Sequence, residues 1–301
     1  MKVLTQEIKL DTQNIRLFIK REDLIHPFIS GNKYRKLKYN LIQAQNEQKK
    51  TLLTFGGAYS NHIAATAYAG MELGLKTIGV IRGDELAGKI DQNPTLTFAQ
   101  KWGMKFVFIS RTHYRMKSEA PFIDDLHAQF GDFYLVPEGG TNTLAIKGCE
   151  EILEEEDQEY DFICCAVGTG GTMSGIINAA KPHQKVLGFP SLKGDFLSKD
   201  IAKFVTKNNP WELITSYNFG GYGKISEPLL MFLNDFYQIH KIPLDPIYTG
   251  KMVFGVMDLI RNNYFPSNSK ILLIHTGGLQ GIEGMNLKLK KKNIQTIHYN
   301  D

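Results

Sequence analysis

The sequence predicts an α/β protein of two lobes, with parallel-rich sheets covered by helices. Three observations carry that prediction. Short β-rich runs alternate with helical patterns almost from end to end, which implies parallel strands joined by crossover helices. The run FICCAVGTGGTMSGI at 162–176 reads as a buried strand, a glycine loop and the start of a helix. Finally, 301 residues hold so many of these units that two packed lobes with a cleft between them fit better than one sheet.

Taken in order, the first clear element is a helix entered through ISGNKYRKLKYN (29–40). Ser30 or Asn32 can cap it, and Tyr34, Leu37, Leu41 and Ala44 recur at helical spacing. A strand at 51–57 and a helix from Ser60 to Gly74 follow, then a strand at 77–83 and a helix at 94–103. The series continues with a strand at 106–110, a helix at 117–129, a strand at 133–140 and a helix from Thr143. After the acidic break at 154–161 come the 162–176 unit, a strand at 185–191 and the segment ELITSY (212–217). Helices at 226–240 and after Thr249 lead to a last strand, KILLIHTGG, at 270–278. There is no internal repeat and no low-complexity linker.

Composition narrows the classes. With 43% hydrophobic and 22% charged residues the chain is built like an ordinary globular protein. No apolar run reaches membrane-spanning length, and the start lacks the layout of a secretory leader, so neither a membrane nor an export route is expected. The net charge of +4 is mild, and Lys288, Lys290, Lys291 and Lys292 read as a solvated face. No aromatic interleaving supports nucleic-acid binding. Cys149, Cys164 and Cys165 make no disulfide framework, so a reducing, cytoplasmic setting is expected. Without Cys-x-x-Cys or His-x-x-x-His spacing, no metal site is expected.

Four loops of unusual composition sit at strand carboxyl ends, where open α/β sheets bind ligands. They are GGAYSNH (56–62), EGGTN (138–142), GTGGT (168–172) and HTGG (275–278). Gly168, Thr169, Gly170, Gly171 and Thr172 open a helix directly after an apolar strand, which makes an anion site of phosphate size. No Gly-Lys-Ser/Thr follows, and Met173 stands where a dinucleotide fingerprint needs its third glycine. A tight turn needing glycine only for geometry is the bland alternative. A small phosphate ester with one reactive lysine is the functional one, and pyridoxal 5'-phosphate has both requirements. Lys33 is the candidate, because the positive end of a helix favours its neutral amine.

KREDL (20–24), GNKYRKL (31–37), GGAYSNH, GTGGT, YTGK (248–251) and HTGG occur together and in order. In this the chain resembles the 1-aminocyclopropane-1-carboxylate deaminase and D-cysteine desulfhydrase family over residues 15–280. The resemblance implies a tryptophan-synthase-β-like fold (fold type II), with a small domain at 50–145 and a large pyridoxal-phosphate domain from 1–49 and 146–301. It implies that Lys33 bonds the cofactor and moves the proton at Cα. Asn61 would meet the pyridine 3'-oxygen, and Ser60 the substrate carboxylate or a proton in transfer. The 168–172 loop would hold the phosphate, Thr249 and Thr276 the region of the ring nitrogen, and Tyr222 and Tyr248 would face the substrate. A small amino-acid substrate and a homodimer are implied likewise. Asn61 read alone is a helix cap, and His62 and His275 read as structural.

Within the family, the deaminases resemble one another in carrying Glu and Leu where this chain has Thr249 and Thr276. Ring opening of a substrate without a Cα hydrogen needs a strong electron sink, which a carboxylate at the ring nitrogen provides. Hydroxyls suffice for α,β-elimination, so a D-cysteine desulfhydrase-like reaction giving a 2-oxo acid, ammonia and sulfide is expected. The alternatives are a 1-aminocyclopropane-1-carboxylate deaminase and a non-catalytic module that only binds the cofactor. Tyr59 replaces the family's usual Gln and bears on the substrate.

Overall fold

The computed structural model describes residues 2–10, 14–194 and 196–299. Its strands are β1 (Thr5–Ile8), β2 (Ile15–Lys20), β3 (Thr51–Gly56), β4 (Lys76–Arg82) and β5 (Met104–Ile109). They continue with β6 (Tyr134–Val136), β7 (Phe162–Val167), β8 (Lys185–Pro190), β9 (Trp211–Leu213) and β10 (Ser269–Ile274). One sheet runs β1-β2-β10-β7-β8-β9 and the other β5-β4-β3-β6. The β1–β2 pair is antiparallel and the other pairs are parallel. In register, Ile271 stands between Leu17 and Phe162, and Leu53 stands beside Ile78.

Continuous apolar strands demand cover on both faces, and helices supply it. Leu17, Ile19, Leu187, Leu233, Val253 and Leu273 share the larger core. Leu53, Phe55 and Val80 pack on one face of the smaller sheet, and Ile63, Ile81 and Leu96 on the other. Each such side chain contributes roughly 1.5–3 kcal/mol on burial. The smaller sheet comes wholly from 51–136, the larger from 5–20 and 162–274. On that basis we propose 50–145 as the small lobe and 1–49 with 146–301 as the large one.

Several expected elements are shorter than the sequence suggests. Pro137 ends β6 after three residues, and β10 stops at Ile274, leaving 275–278 as a loop. The strands β1 and β2 and the helix Gly281–Lys290 are additions; that helix carries Lys288 and Lys290.

The helix Asn32–Asn46 corrects the expected cap. Gly31 occupies that position at φ +60°, with no side-chain bond to the helix end. The Ser30 hydroxyl instead donates to the Asp23 carbonyl (3.2 Å), and Asn32 Nδ2 donates to Thr172 Oγ1 (2.8 Å). Close packing is the reason: a Cβ at Gly31 would lie 2.0 Å from the Thr276 carbonyl oxygen, which itself accepts from Asn32 N at 3.2 Å. Backbone from the 275–278 loop satisfies the helix end.

Candidate active site

The helix Asn32–Asn46 brings two lysines to one place. Lys33 and Lys36, three residues apart, lie on one face of it. Lys33 Nζ donates to the Gly139 carbonyl at 3.2 Å. Lys36 Nζ donates to the same carbonyl (3.1 Å), to Thr141 Oγ1 (2.9 Å) and to Thr169 Oγ1 (3.3 Å). Burial pushes the pKa of Lys33 well below the ordinary lysine value, and the neighbouring Lys36 charge pushes it further. Lys36 is lowered by burial as well.

The glycine loop meets these amines. The helix Gly171–Ala179 begins inside it, and a Cβ on Gly171 would stand 3.2 Å from Lys36 Nζ. Thr141 and Thr169 hydroxyls meet at 2.6 Å beside it. A buried ammonium, 2% exposed, thus faces only neutral acceptors and the free amides of a helix start. Burying a cation without a counter-charge is costly, so this cradle fits a dianionic phosphate.

The remaining candidates connect in turn. Ser60 caps the helix Asn61–Glu72: its Oγ accepts from Ile63 N at 3.3 Å, which leaves its own proton free. The cap is therefore Ser60 and not Asn61, whose amide has no hydrogen-bond partner among the described residues. Asn61 Nδ2 lies 2.9 Å from where a Cβ on Gly278 would be, so only glycine lets it reach the 275–278 loop. Tyr248 packs over Gly168, where a Cβ would be 3.2 Å from its ring, and Tyr222 approaches Tyr248 edge-on at 6.1 Å. Burial first, then Tyr222, holds the Tyr248 phenol well above its ordinary value, so it stays protonated.

The structure turns the Thr249 hydroxyl toward Asp245, donating to Oδ1 at 2.7 Å and accepting from Asp245 N at 3.0 Å. Asp245, 1% exposed, also accepts from the amides of Ile247, Tyr248 and Thr249 at 2.7–2.9 Å. Burial raises the pKa of its carboxyl against the pull of these donors. Thr276 is 7% exposed beside Gly31, and its hydroxyl has no partner among the described residues.

The two histidines have fixed surroundings. His275 Nε2 donates to the Pro243 carbonyl (2.7 Å) and Nδ1 accepts from Gly277 N (3.2 Å), which shapes the loop. Thr54 Oγ1 donates to the Val136 carbonyl, so it must accept from His62 Nε2 at 2.8 Å. His62 Nδ1 is then a bare, buried acceptor beside Gly140. Burial, then Lys33 and Lys36, pushes its pKa well down, so the ring is neutral.

The sequence model of the pyridoxal-phosphate dependent enzymes matches residues 4–277. This chain belongs to that family. It is 31% identical over 294 residues to the bifunctional D-cysteine desulfhydrase/1-aminocyclopropane-1-carboxylate deaminase of Arabidopsis thaliana, covering 88% of this chain and 73% of that one. It is 30% identical to the D-cysteine desulfhydrase of Klebsiella pneumoniae strain 342, covering 87% and 86%. A crystal structure of an ACC deaminase homologue superposes with a TM-score of 0.77 at 28% identity, over 92% of this chain and 88% of that one.

The protein is therefore a pyridoxal-phosphate dependent enzyme of the deaminase and desulfhydrase type. We propose that Lys33 would bond the aldehyde and that Lys36, Thr141 and Thr169, with the 168–172 amides, would hold the phosphate. When bound, the cofactor supplies the electron sink for charge developing at Cα. Lys36, Thr141 and Asp245 are missing from the candidates named by sequence. The three-residue spacing after Lys33 and the EGGTN loop were signals for the first two. Asp245 had none, because a single aspartate before a helix is an ordinary cap.

Proposed function

We propose that the enzyme catalyses α,β-elimination on a small amino acid, D-cysteine desulfhydrase-like, giving a 2-oxo acid, ammonia and the β-substituent. One observation carries this reading. Among the described residues the buried carboxylates near Thr249 and Thr276 are Asp245, whose oxygens already accept from three amides and a hydroxyl, and Asp23, which is held by Arg21 at 2.7–2.8 Å and lies 3.5 Å from His275 Nδ1. Neither carboxylate is free to hold a proton on the ring nitrogen, and the Thr276 hydroxyl is too weak a base to do so, so the electron sink is weak and ring opening is disfavoured. A Cα proton and a good leaving group ask less of it. Lys33, whose pKa burial holds well below the ordinary lysine value, takes the Cα proton; the Ser60 hydroxyl orients the carboxylate; the protonated phenol of Tyr248 donates to the leaving group.

The test is a direct comparison of substrates. The holoenzyme should release sulfide and pyruvate from D-cysteine, with ammonia from 1-aminocyclopropane-1-carboxylate at least roughly tenfold slower, a difference of about 1.4 kcal/mol. Efficient ring opening with D-cysteine ignored overturns the reading. Thr249→Glu is a poor probe, because position 249 is fully buried against Asp245 and a second carboxylate there would repel the first.

A further inference from the structure

Charge is distributed unevenly around Tyr222. Arg82, exposed at the end of β4, reaches over the loop that carries Ser60: its guanidinium is 3.6 Å from where a Cβ on Gly57 would stand. It lies 5.7 Å above the Tyr114 ring and has no carboxylate partner among the described residues. The acid nearby, Glu138, is already engaged by the Tyr114 hydroxyl (2.7 Å) and by Lys117 (3.2 Å). Burial raises the Tyr222 phenol above its ordinary value, and the smaller influences of the Arg82 and Glu138 charges on it oppose each other.

The loop that carries Tyr222 is also bordered by basic residues. Lys288 Nζ donates to the Gly223 carbonyl at 3.0 Å, and beneath the loop the buried Lys251 Nζ donates to the Asn218 and Gly221 carbonyls, each at 2.9 Å. The stem of Lys193 passes 3.7 Å from where a Cβ on Gly221 would be, and Lys224 lies 3.8 Å from the same point on Gly220. None of these four pairs with a carboxylate among the described residues. A cleft mouth lined by one sign of charge draws in and retains ligands of the other.

Building on the elimination reading above, we propose that the preferred substrate is a three-carbon amino acid whose β-substituent bears its own negative charge: a sulfonate, sulfate or phosphate. Arg82 recognises that group beside Tyr222, and the exposed Lys193, Lys224 and Lys288 steer it in. Planar guanidinium matches such oxyanions in two-point contact. The Cα proton passes to Lys33, the electron pair of that bond forms the Cα–Cβ double bond, and the Cβ–X bond breaks with its pair leaving on X. Water then converts the released 2-aminoacrylate to pyruvate and ammonium, so no oxidant or reductant is needed.

Pyruvate release by the holoenzyme is measured for O-phosphoserine, O-sulfoserine and cysteate against β-chloroalanine and cysteine, each as both enantiomers, at low and high salt. At least one anionic substrate is expected to show kcat/KM about tenfold above the neutral ones, with the advantage shrinking as salt rises. Arg82→Gln should lower the anionic-to-neutral selectivity ratio roughly 10- to 100-fold, chiefly through KM, and Arg82→Lys should restore part of it. Turnover of neutral substrates with no anionic preference, or a ratio unmoved by Arg82→Gln, overturns this inference and leaves the elimination reading standing. A cofactor-loaded enzyme that releases pyruvate from none of the panel overturns both.

Discussion

Five cations between residues 20 and 36 are compared most usefully as two groups. Lys20, Arg21 and Arg35 are buried and paired: Lys20 with Glu154 (3.0 Å) and Asp157, Arg21 with Asp23 (2.7 Å), Arg35 with Glu22 (2.8 Å). Lys33 and Lys36 are set among carbonyls and hydroxyls with no carboxylate. The electrostatic consequences run in opposite directions. Burial acts to lower the pKa of Arg35, yet its bond and charge coupling to Glu22 leave it raised. Burial lowers Lys33 and Lys36, and nothing comparable restores them. The first group closes the fold by itself. The second, in the reading proposed above, would be completed by the aldehyde and phosphate of the cofactor.

The sharpest way to break this contrast is Lys33→Ala. Losing the amine should cost at least about 10³-fold in turnover, together with the visible absorption of the bound cofactor, while circular dichroism stays native. A coloured, active variant would return Lys33 to the structural group. Arg35→Met makes the reverse point. It strands Glu22 inside the protein, and urea unfolding should show a loss of about 3–5 kcal/mol. A loss under about 1 kcal/mol would mean that the pair is exchangeable surface chemistry.

Lys36→Met separates the groups by sign. Removing a buried cation that lacks a counter-charge should leave apo stability equal or higher, whereas cofactor affinity should fall roughly 10- to 100-fold, measured by titration of the apoenzyme. Weaker binding accompanied by equal destabilisation would place Lys36 with Lys20.

Much of this was legible in the residues, and the failures have physical causes. Strands bounded by glycine loops, such as β3 and β7, could be read because buried apolar runs and turn residues agree there. The strand β2 could not. Its run IRLFIK carries charges at Arg16 and Lys20, and only the partners Glu154 and Asp157, more than a hundred residues away, make Lys20 a core residue. The helix Gly281–Lys290 hides for a similar reason. Gly281 and Gly284 weaken its local propensity, and Gly284 is needed because the Tyr59 ring approaches: a Cβ there would lie 2.6 Å from that ring. Tyr59, expected beside the substrate, packs on this helix. Candidate residues in glycine loops announced themselves, while Lys36 differs from its paired neighbours only in what surrounds it.

The smallest expected effect tests that difference by pH. In the unfolded chain Lys36 titrates near the ordinary value of 10.5, and in the folded apoenzyme burial places it lower. Between those two values the unfolded state holds more protons, so its contribution makes stability rise with pH, by up to about 1.4 kcal/mol per unit. Below the folded value both states are charged and the full penalty is present; above the unfolded value both are neutral and it vanishes. Other buried groups act oppositely at high pH, as Cys149 does with its thiol pushed up to about 11 by burial. The informative quantity is therefore the stability of Lys36→Met minus that of wild type. In the apoenzyme this advantage should shrink as pH rises from neutral toward about 10, and loading the cofactor should abolish it, because the phosphate then supplies the missing charge. An advantage that ignores both pH and cofactor would show that the Lys36 amine is satisfied by Gly139, Thr141 and Thr169 alone, and the contrast between the two groups of cations would fall.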